Sequence, residues 1–248
     1  MEQYNSIKNF KQELTTQPVK GKIPCIYECE IIDAPSKKKN RTTRKRLAIN
    51  KLNTDYERDL NNQDLYYRIT AKIDGTCCRI KNGKLQKRRD IKKGRKIPSD
   101  WEETSNNMGH QIGFMPIDKN DKWHLDCMTS NGENINVLKK IGRSIAIINT
   151  PITELEGKTV ELIGPKIQGN PHEVSQHCVY IHGDIQIKNS FIINKLSDTK
   201  NMFLNNPIMS YFEGIVVHFS NGNLYKLHRH HLDISIENGY KPILDLKM

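Results

Sequence analysis

The sequence predicts an α+β fold of antiparallel sheets flanked by helices, and three observations carry that expectation. Segments rich in β-branched and aromatic residues outnumber those with a 3.6-residue apolar period. Two turn signals, KNGK at 81–84 and SNGN at 220–223, each stand between extended runs and read as hairpins. No internal repeat and no Pro- or Gly-rich linker divides the 248 residues, so residues 1–248 read as one domain.

The elements follow in chain order. A helical period is expected over 4–14, and 23–32, IPCIYECEII, reads as a strand. A helix is expected near 50–60. Residues 66–80, YYRITAKIDGTCCRI, read as extended and turn through 81–84 into another extended run. Further strands are expected at 112–117, 159–163, 179–187, 213–219 and 223–228, with a helix at 189–205.

Hydrophobic residues at 36% and charged residues at 27% describe a polar globule rather than a fibrous or disordered chain. No apolar run approaches the ~18 residues that cross a bilayer, and MEQYNSIKNFKQEL lacks the apolar stretch of a signal peptide. The chain therefore reads as intracellular, in cytoplasm or nucleus alike, with no membrane partner. Cysteines at 25, 29, 77, 78, 127 and 178 lack C-x2-C spacing, so reduced thiols are expected. His228, His230 and His231 could bind zinc, but no paired cysteines complete the ligand set in the sequence.

A net charge of +11 favours a polyanionic partner. Residues 37–46 hold seven basic side chains, Lys37, Lys38, Lys39, Arg41, Arg44, Lys45 and Arg46. Residues 84–96 hold eight against one Asp, Arg89, Lys92 and Lys93 among them. Either run alone also reads as a solvated loop or targeting tail. Two such runs in one basic chain point to nucleic acid, and the scarcity of aromatics beside them points to phosphate contacts rather than base stacking.

Lys72, flanked by apolar residues and followed by Asp74-Gly75, stands where a strand would meet a turn. Burial and neighbouring cations lower an amine's pKa and make lysine a nucleophile. K-x-D-G alone equally describes a surface lysine before a turn. Downstream, Glu161 precedes Gly164 on a strand, Glu213 stands at a strand edge, and Lys226 lies on its hairpin partner. Charged residues on otherwise apolar strands are costly unless paired or metal-bound. Two lysines and two carboxylates are the groups needed to hold a nucleoside triphosphate, its Mg²⁺ and the charge developing at phosphorus.

This ordered set, KIDG at 72–75, ELIG at 161–164, EGIVV at 213–217 and YKLHR at 225–229, resembles the covalent nucleotidyltransferase superfamily of DNA ligases, RNA ligases and mRNA capping enzymes. KIDGTCC, GFMPIDKN, ELIGPKIQGNPH, HGDIQI, EGIVVHFSNG and KLHRHHL resemble more closely the vertebrate-type stand-alone ATP-dependent 5′ to 3′ RNA ligases, from about Pro24 to Leu232. The resemblance implies the ligase adenylation-domain (nucleotidyltransferase) fold. It also implies that RNA with 5′-phosphate and 3′-hydroxyl ends is joined using ATP and Mg²⁺, or Mn²⁺, without an obligate protein partner. Residue by residue, it implies that Lys72 becomes adenylated, Glu161 holds the ribose, and Glu213 binds the metal. Lys226 would contact the α-phosphate and help keep Lys72 deprotonated, with Asp74 structural or assisting the metal. Arg79 and Arg88 would contact nucleotide or the RNA 5′-phosphate.

Three features depart from the superfamily's pattern. Ala71 stands where an acidic residue is common, and His228 takes the second lysine position of K-x-K, so it is expected to line the nucleotide site. Tyr180 and His182 both qualify as the ring that stacks on adenine. The tail after Lys226 is too short for an oligonucleotide-binding barrel, so no such domain is expected. An mRNA capping-type guanylyltransferase and a non-catalytic RNA-binding relative remain as the other readings.

Overall fold

The computed structural model describes residues 19–35, 42–107, 110–187, 193–234 and 240–248. The elements are β1 (Tyr27–Pro35), β2 (Thr42–Leu52), α1 (Thr54–Asn61), β3 (Tyr67–Lys72), β4 (Thr76–Lys81), β5 (Lys84–Lys92) and β6 (Glu102–Asn107). They continue with β7 (His110–Pro116), α2 (Lys122–Asp126), β8 (Asn134–Ile141), β9 (Ser144–Pro151) and β10 (Thr159–Ile163). The last are β11 (Cys178–Ile181), β12 (Gln186–Ile187), α3 (Leu196–Asn205), β13 (Gly214–Phe219) and β14 (Leu224–His228). The fold is sheet-rich and mixed, with few helices. Among the described residues no helix is long and apolar enough to cross a membrane.

The strands form a ribbon of β1 and β2, an eight-stranded sheet in the order β6-β7-β5-β4-β10-β11-β8-β9, and a four-stranded sheet in the order β12-β3-β13-β14. Period-2 alternation gives each sheet a face in the main core. Ile69 and Ala71 of β3, Ile215, Val217 and Phe219 of β13, and Tyr225 and Leu227 of β14 enter it with Tyr56 and Phe203 from α1 and α3. Val160 and Leu162 of β10 join Cys78, Ile80 and Leu85 in a second cluster on the far side of the large sheet. The remaining positions, Arg68, Thr70 and Lys72 on β3 and Lys226 and His228 on β14, line the opposite face of the small sheet.

Several expectations need correction. The run 66–80 is not one strand: the chain leaves the small sheet at Lys72 and enters the large one at Thr76. The run 179–187 breaks in the same way, into β11 and β12 in different sheets. Residues 24–26 precede β1 and pair with β14 instead, where Lys226 N donates to Pro24 O at 2.9 Å and Ile26 N to Lys226 O at 3.0 Å. The described part of the basic run 37–46 is no loop; it lies in β2, whose backbone pairs with β1. The sheets are not wholly antiparallel, because β8 and β11 run parallel. Among the described residues, helix α3 begins only at Leu196. The helix expected over 4–14 lies outside the described residues.

Gly75 is where the crossing between sheets is tightest. A Cβ there would lie 2.3 Å from the Leu162 carbonyl oxygen, so β4 can meet β10 only with hydrogen at that position. Gly75→Ala is expected to destabilise the protein by about 1–3 kcal/mol, read as a lower midpoint in urea denaturation. An unchanged midpoint would mean that the junction yields without cost.

Candidate active site

The crossing at 73–75 sets Lys72 at the end of β3, within electrostatic reach of Glu161 on the large sheet. Gly214 is in register with Lys72 on one side and His228 on the other, and Glu213 N donates to the Lys72 carbonyl at 3.0 Å. The Glu213 side chain is thereby fixed between two strands. Lys72 Nζ donates to Glu213 Oε2, and His228 Nδ1 lies 2.6 Å from Glu213 Oε1.

The electrostatics differ from the sequence-based expectation. Burial lowers the Lys72 amine, but Glu213, Glu161 and Asp74 outweigh it and raise its pKa above the usual lysine value. Lys72 is therefore a firmly held cation, not the neutral amine expected from burial. Lys226 moves the other way, lowered first by burial and further by the charge of Lys72. Burial opposes ionisation of Glu213, yet His228 and Lys72 bring its pKa down to about 2. His228 is lowered to about 4, chiefly by burial, and is neutral at pH 7. Asp74 is raised to about 6, first by burial and then by Glu213.

Glu161 reaches this cluster from β10, on the face opposite Val160 and Leu162. Its Oε2 lies 2.8 Å from His182 Nε2, and His182 Nδ1 lies 3.0 Å from Thr159 Oγ1. The network assigns the His182 proton to Nε2, donating to the carboxylate. Tyr180 is excluded as a stacking ring: it is 1% exposed and its hydroxyl accepts from Ile185 N at 3.1 Å.

The other singled-out residues divide. Arg88 grips Asp90 at 2.8 and 3.1 Å while its charge acts on Cys77, the β4 neighbour of Glu161. Arg79 is held away by Glu102 at 2.6 Å and Gln86 at 2.6 Å, with Phe114 beneath it. Arg44, Lys45 and Arg46 are exposed on β2, and Arg46 lies close enough to act on Lys226 and His230. Arg89 and Lys92 are exposed on β5, and Lys93 in the turn beyond. Lys37, Lys38, Lys39 and Arg41 lie outside the described residues.

Sequence reasoning missed three neighbours. His172 is fully buried and its Nε2 accepts from Asp74 N at 2.9 Å, fixing the loop after Lys72. His218 lies 2.8 Å from the Thr70 hydroxyl. Arg68 has Nε and Nη2 buried without a hydrogen-bond partner among the described residues. Alternation from Lys72 back through Thr70 could have found Arg68; nothing local announces His172.

Asp74, Glu161 and Glu213 suit a hard divalent cation, which prefers carboxylate oxygens. After burial, which is the main cause of its raised pKa, Asp74 feels the charges of both Glu213 and Glu161, so the three carboxylates lie within electrostatic reach of one another.

Comparison with known proteins gives the family of the chain. The chain is 28% identical to RNA ligase 1 of Pongo abelii over 279 aligned residues, spanning 87% of this chain and 82% of that protein. It is likewise 28% identical to RNA ligase 1 of Rattus norvegicus, over the same shares. With RNA ligase 1 of Danio rerio it shares 27% identity, over 87% of this chain and 82% of that one. The RNA ligase 1 family model matches residues 13–96 and 87–243. With most of its length matched in this way, the chain belongs to the RNA ligase 1 family.

Proposed function

We propose that this protein is an ATP-dependent RNA ligase whose sheets make one catalytic domain of the nucleotidyltransferase type. It joins a 5′-phosphate to a 3′-hydroxyl through an adenylate on Lys72. The observation that carries this reading is the convergence of Lys72, Glu213, Glu161 and Lys226 where the two sheets meet. The names of the relatives support the RNA substrate.

In the first step Lys72 Nζ gives up its proton and attacks the α-phosphorus of ATP; an N–P bond forms and the P–O bond to pyrophosphate breaks. An RNA 5′-phosphate oxygen then attacks the same phosphorus, Lys72 leaves and regains a proton, and a 5′ to 5′ pyrophosphate remains. Finally a 3′-hydroxyl attacks the RNA 5′-phosphorus, loses its proton to solvent and expels AMP. Lys226, free of any ion pair among the described residues, is the cation that faces the phosphate in each step. Glu161, steadied by His182, receives the ribose hydroxyls. Asp74 and Glu213 would hold Mg²⁺ or Mn²⁺, which supplies positive charge to the phosphates. Arg44, Lys45, Arg46, Arg89, Lys92 and Lys93 offer the RNA backbone exposed cations.

Incubation with α-labelled ATP and GTP in parallel tests the first step. ATP is expected to leave an acid-labile label that GTP does not, absent from Lys72→Ala and reduced about 10²-fold or more in Lys226→Ala. Labelling by GTP alone would establish a capping-type enzyme, and no labelling a binding protein. A 5′-phosphorylated nicked RNA hairpin then reports sealing.

Two further outcomes follow from the charges. The raised Lys72 must lose a proton before attack, so the single-turnover labelling rate should climb with pH through the alkaline range. Glu213→Gln removes the main carboxylate holding that proton, and the climb should begin at lower pH with a reduced plateau. Replacing Arg44 and Lys45 with Ala should weaken sealing and lower the salt slope by about 1 per lost phosphate contact, while labelling persists. Equal loss of labelling and sealing would remove β2 from the RNA surface.

A further inference from the structure

Cys25, Cys29 and His231 bring their ligand atoms within 4.8 Å of one another, close enough to the candidate active site for Cys25 to act on Lys226. Cysteines four apart on a straight strand would stand about 13 Å apart. Here the chain bends at Ile26 and the ribbon slips register between Tyr27 and Cys29. A bulge of this kind re-aims a side chain, and it turns Cys29 back toward Cys25.

The third group comes from 206 residues away. His231 follows β14 in the 3-10 turn Arg229–Leu232, against which β2 packs. Its ring is 5% exposed, and Nδ1 lies 3.8 Å from Cys25 Sγ. Zinc–sulfur and zinc–nitrogen bonds of about 2.3 and 2.0–2.1 Å at the tetrahedral angle imply S···N and S···S edges of about 3.6 and 3.8 Å. The Cys25–His231 distance of 3.8 Å is close to such an edge, and the remaining separations stay within 4.8 Å.

We propose that Cys25, Cys29 and His231 form a soft-metal site that takes zinc, separate from the carboxylates at Lys72. Two sulfurs and one imidazole select zinc over Mg²⁺. Cys29 is half-exposed, which lets water fill the fourth position. Each thiol releases its proton to solvent as the metal binds, so two thiolates balance the dication. The charged and titratable neighbours are Arg46, Lys226, His228 and His230; burial raises the Cys29 thiol to about 11 against the pull of Arg46, so it is the bound metal that supplies the charge for losing its proton. Because residues 24–26 are paired with Lys226 in the backbone, a metal here clamps the chain before β1 to the strand that presents Lys226.

The test uses the full chain, purified under reductant without chelator. Elemental analysis should find close to one zinc per chain, and Cys29→Ser should hold zinc more than about 100-fold more weakly. Cobalt substitution should give intense tetrahedral visible bands with thiolate charge transfer. Cys29→Ser and His231→Gln should abolish the charge-transfer band while circular dichroism keeps the strand signal. Cys29 is half-exposed, so its serine variant stands even where His231→Gln fails to fold. Cys77→Ser, which disrupts the Cys77, Glu161 and His182 group instead, should retain the band. Absence of zinc together with absence of cobalt bands overturns the proposal. So does a band lost in Cys77→Ser and kept in Cys29→Ser, or a Cys25–Cys29 disulfide in the freshly reduced chain.

Discussion

The half-buried pair of Lys72 and Glu213 is the constraint around which the site is organised. Drawing two charges partly out of water is costly before any attraction is counted, so such a pair is favoured where the structure surrounds it with further partners. Here the Glu213 backbone N is bonded to the Lys72 carbonyl, and His228 lies on the second carboxylate oxygen. The strand register that holds β3 against β13 is thus also what holds the ion pair.

That register explains why the other charged groups are where they are. On β14, Lys226 and His228 must share the face opposite Tyr225 and Leu227, since those two are packed in the core. On β10, Glu161 is turned toward Lys72 because Val160 and Leu162 are committed to the second apolar cluster. A one-residue slip in any of these strands would exchange the two faces and bury the charges among apolar side chains. Apolar packing and charge placement are therefore one constraint read from two sides.

How much of this could be read from sequence varies with how local the cause is. The hairpin at 81–84 and the strand 159–163 were legible because turn chemistry and β-branched runs act within a few residues. β2 was not, because its basic residues give no apolar alternation and its extended form is imposed by pairing with β1. The break at 73–75 was masked by β-branched and aromatic residues on both sides. At the site, the order of Lys72, Glu161, Glu213 and Lys226 was visible as motifs, and the structure brings these residues together. The proton balance was not, because it depends on which partner each group meets across 141 residues for Lys72 and Glu213. Nor could the sequence pair His172 with the Asp74 backbone, 98 residues apart.

The opposite shifts of the two lysines follow from position alone. Lys72 sits among Glu213, Glu161 and Asp74, so its proton is held; Lys226 feels burial and the Lys72 charge before it feels Glu213. On the proposed reading, this arrangement cannot attack phosphorus while Glu213 remains the partner of Lys72. Attack requires Glu213 to be engaged by another positive charge, which lowers the Lys72 pKa by withdrawing its main counterion. Asp74 and Glu213 would hold a divalent cation there, and its charge would offset carboxylates that otherwise repel the phosphates. On that reading nucleotide binding and activation of the nucleophile would be one electrostatic exchange, because the carboxylates that hold the Lys72 proton are the ones a positively charged ligand would engage.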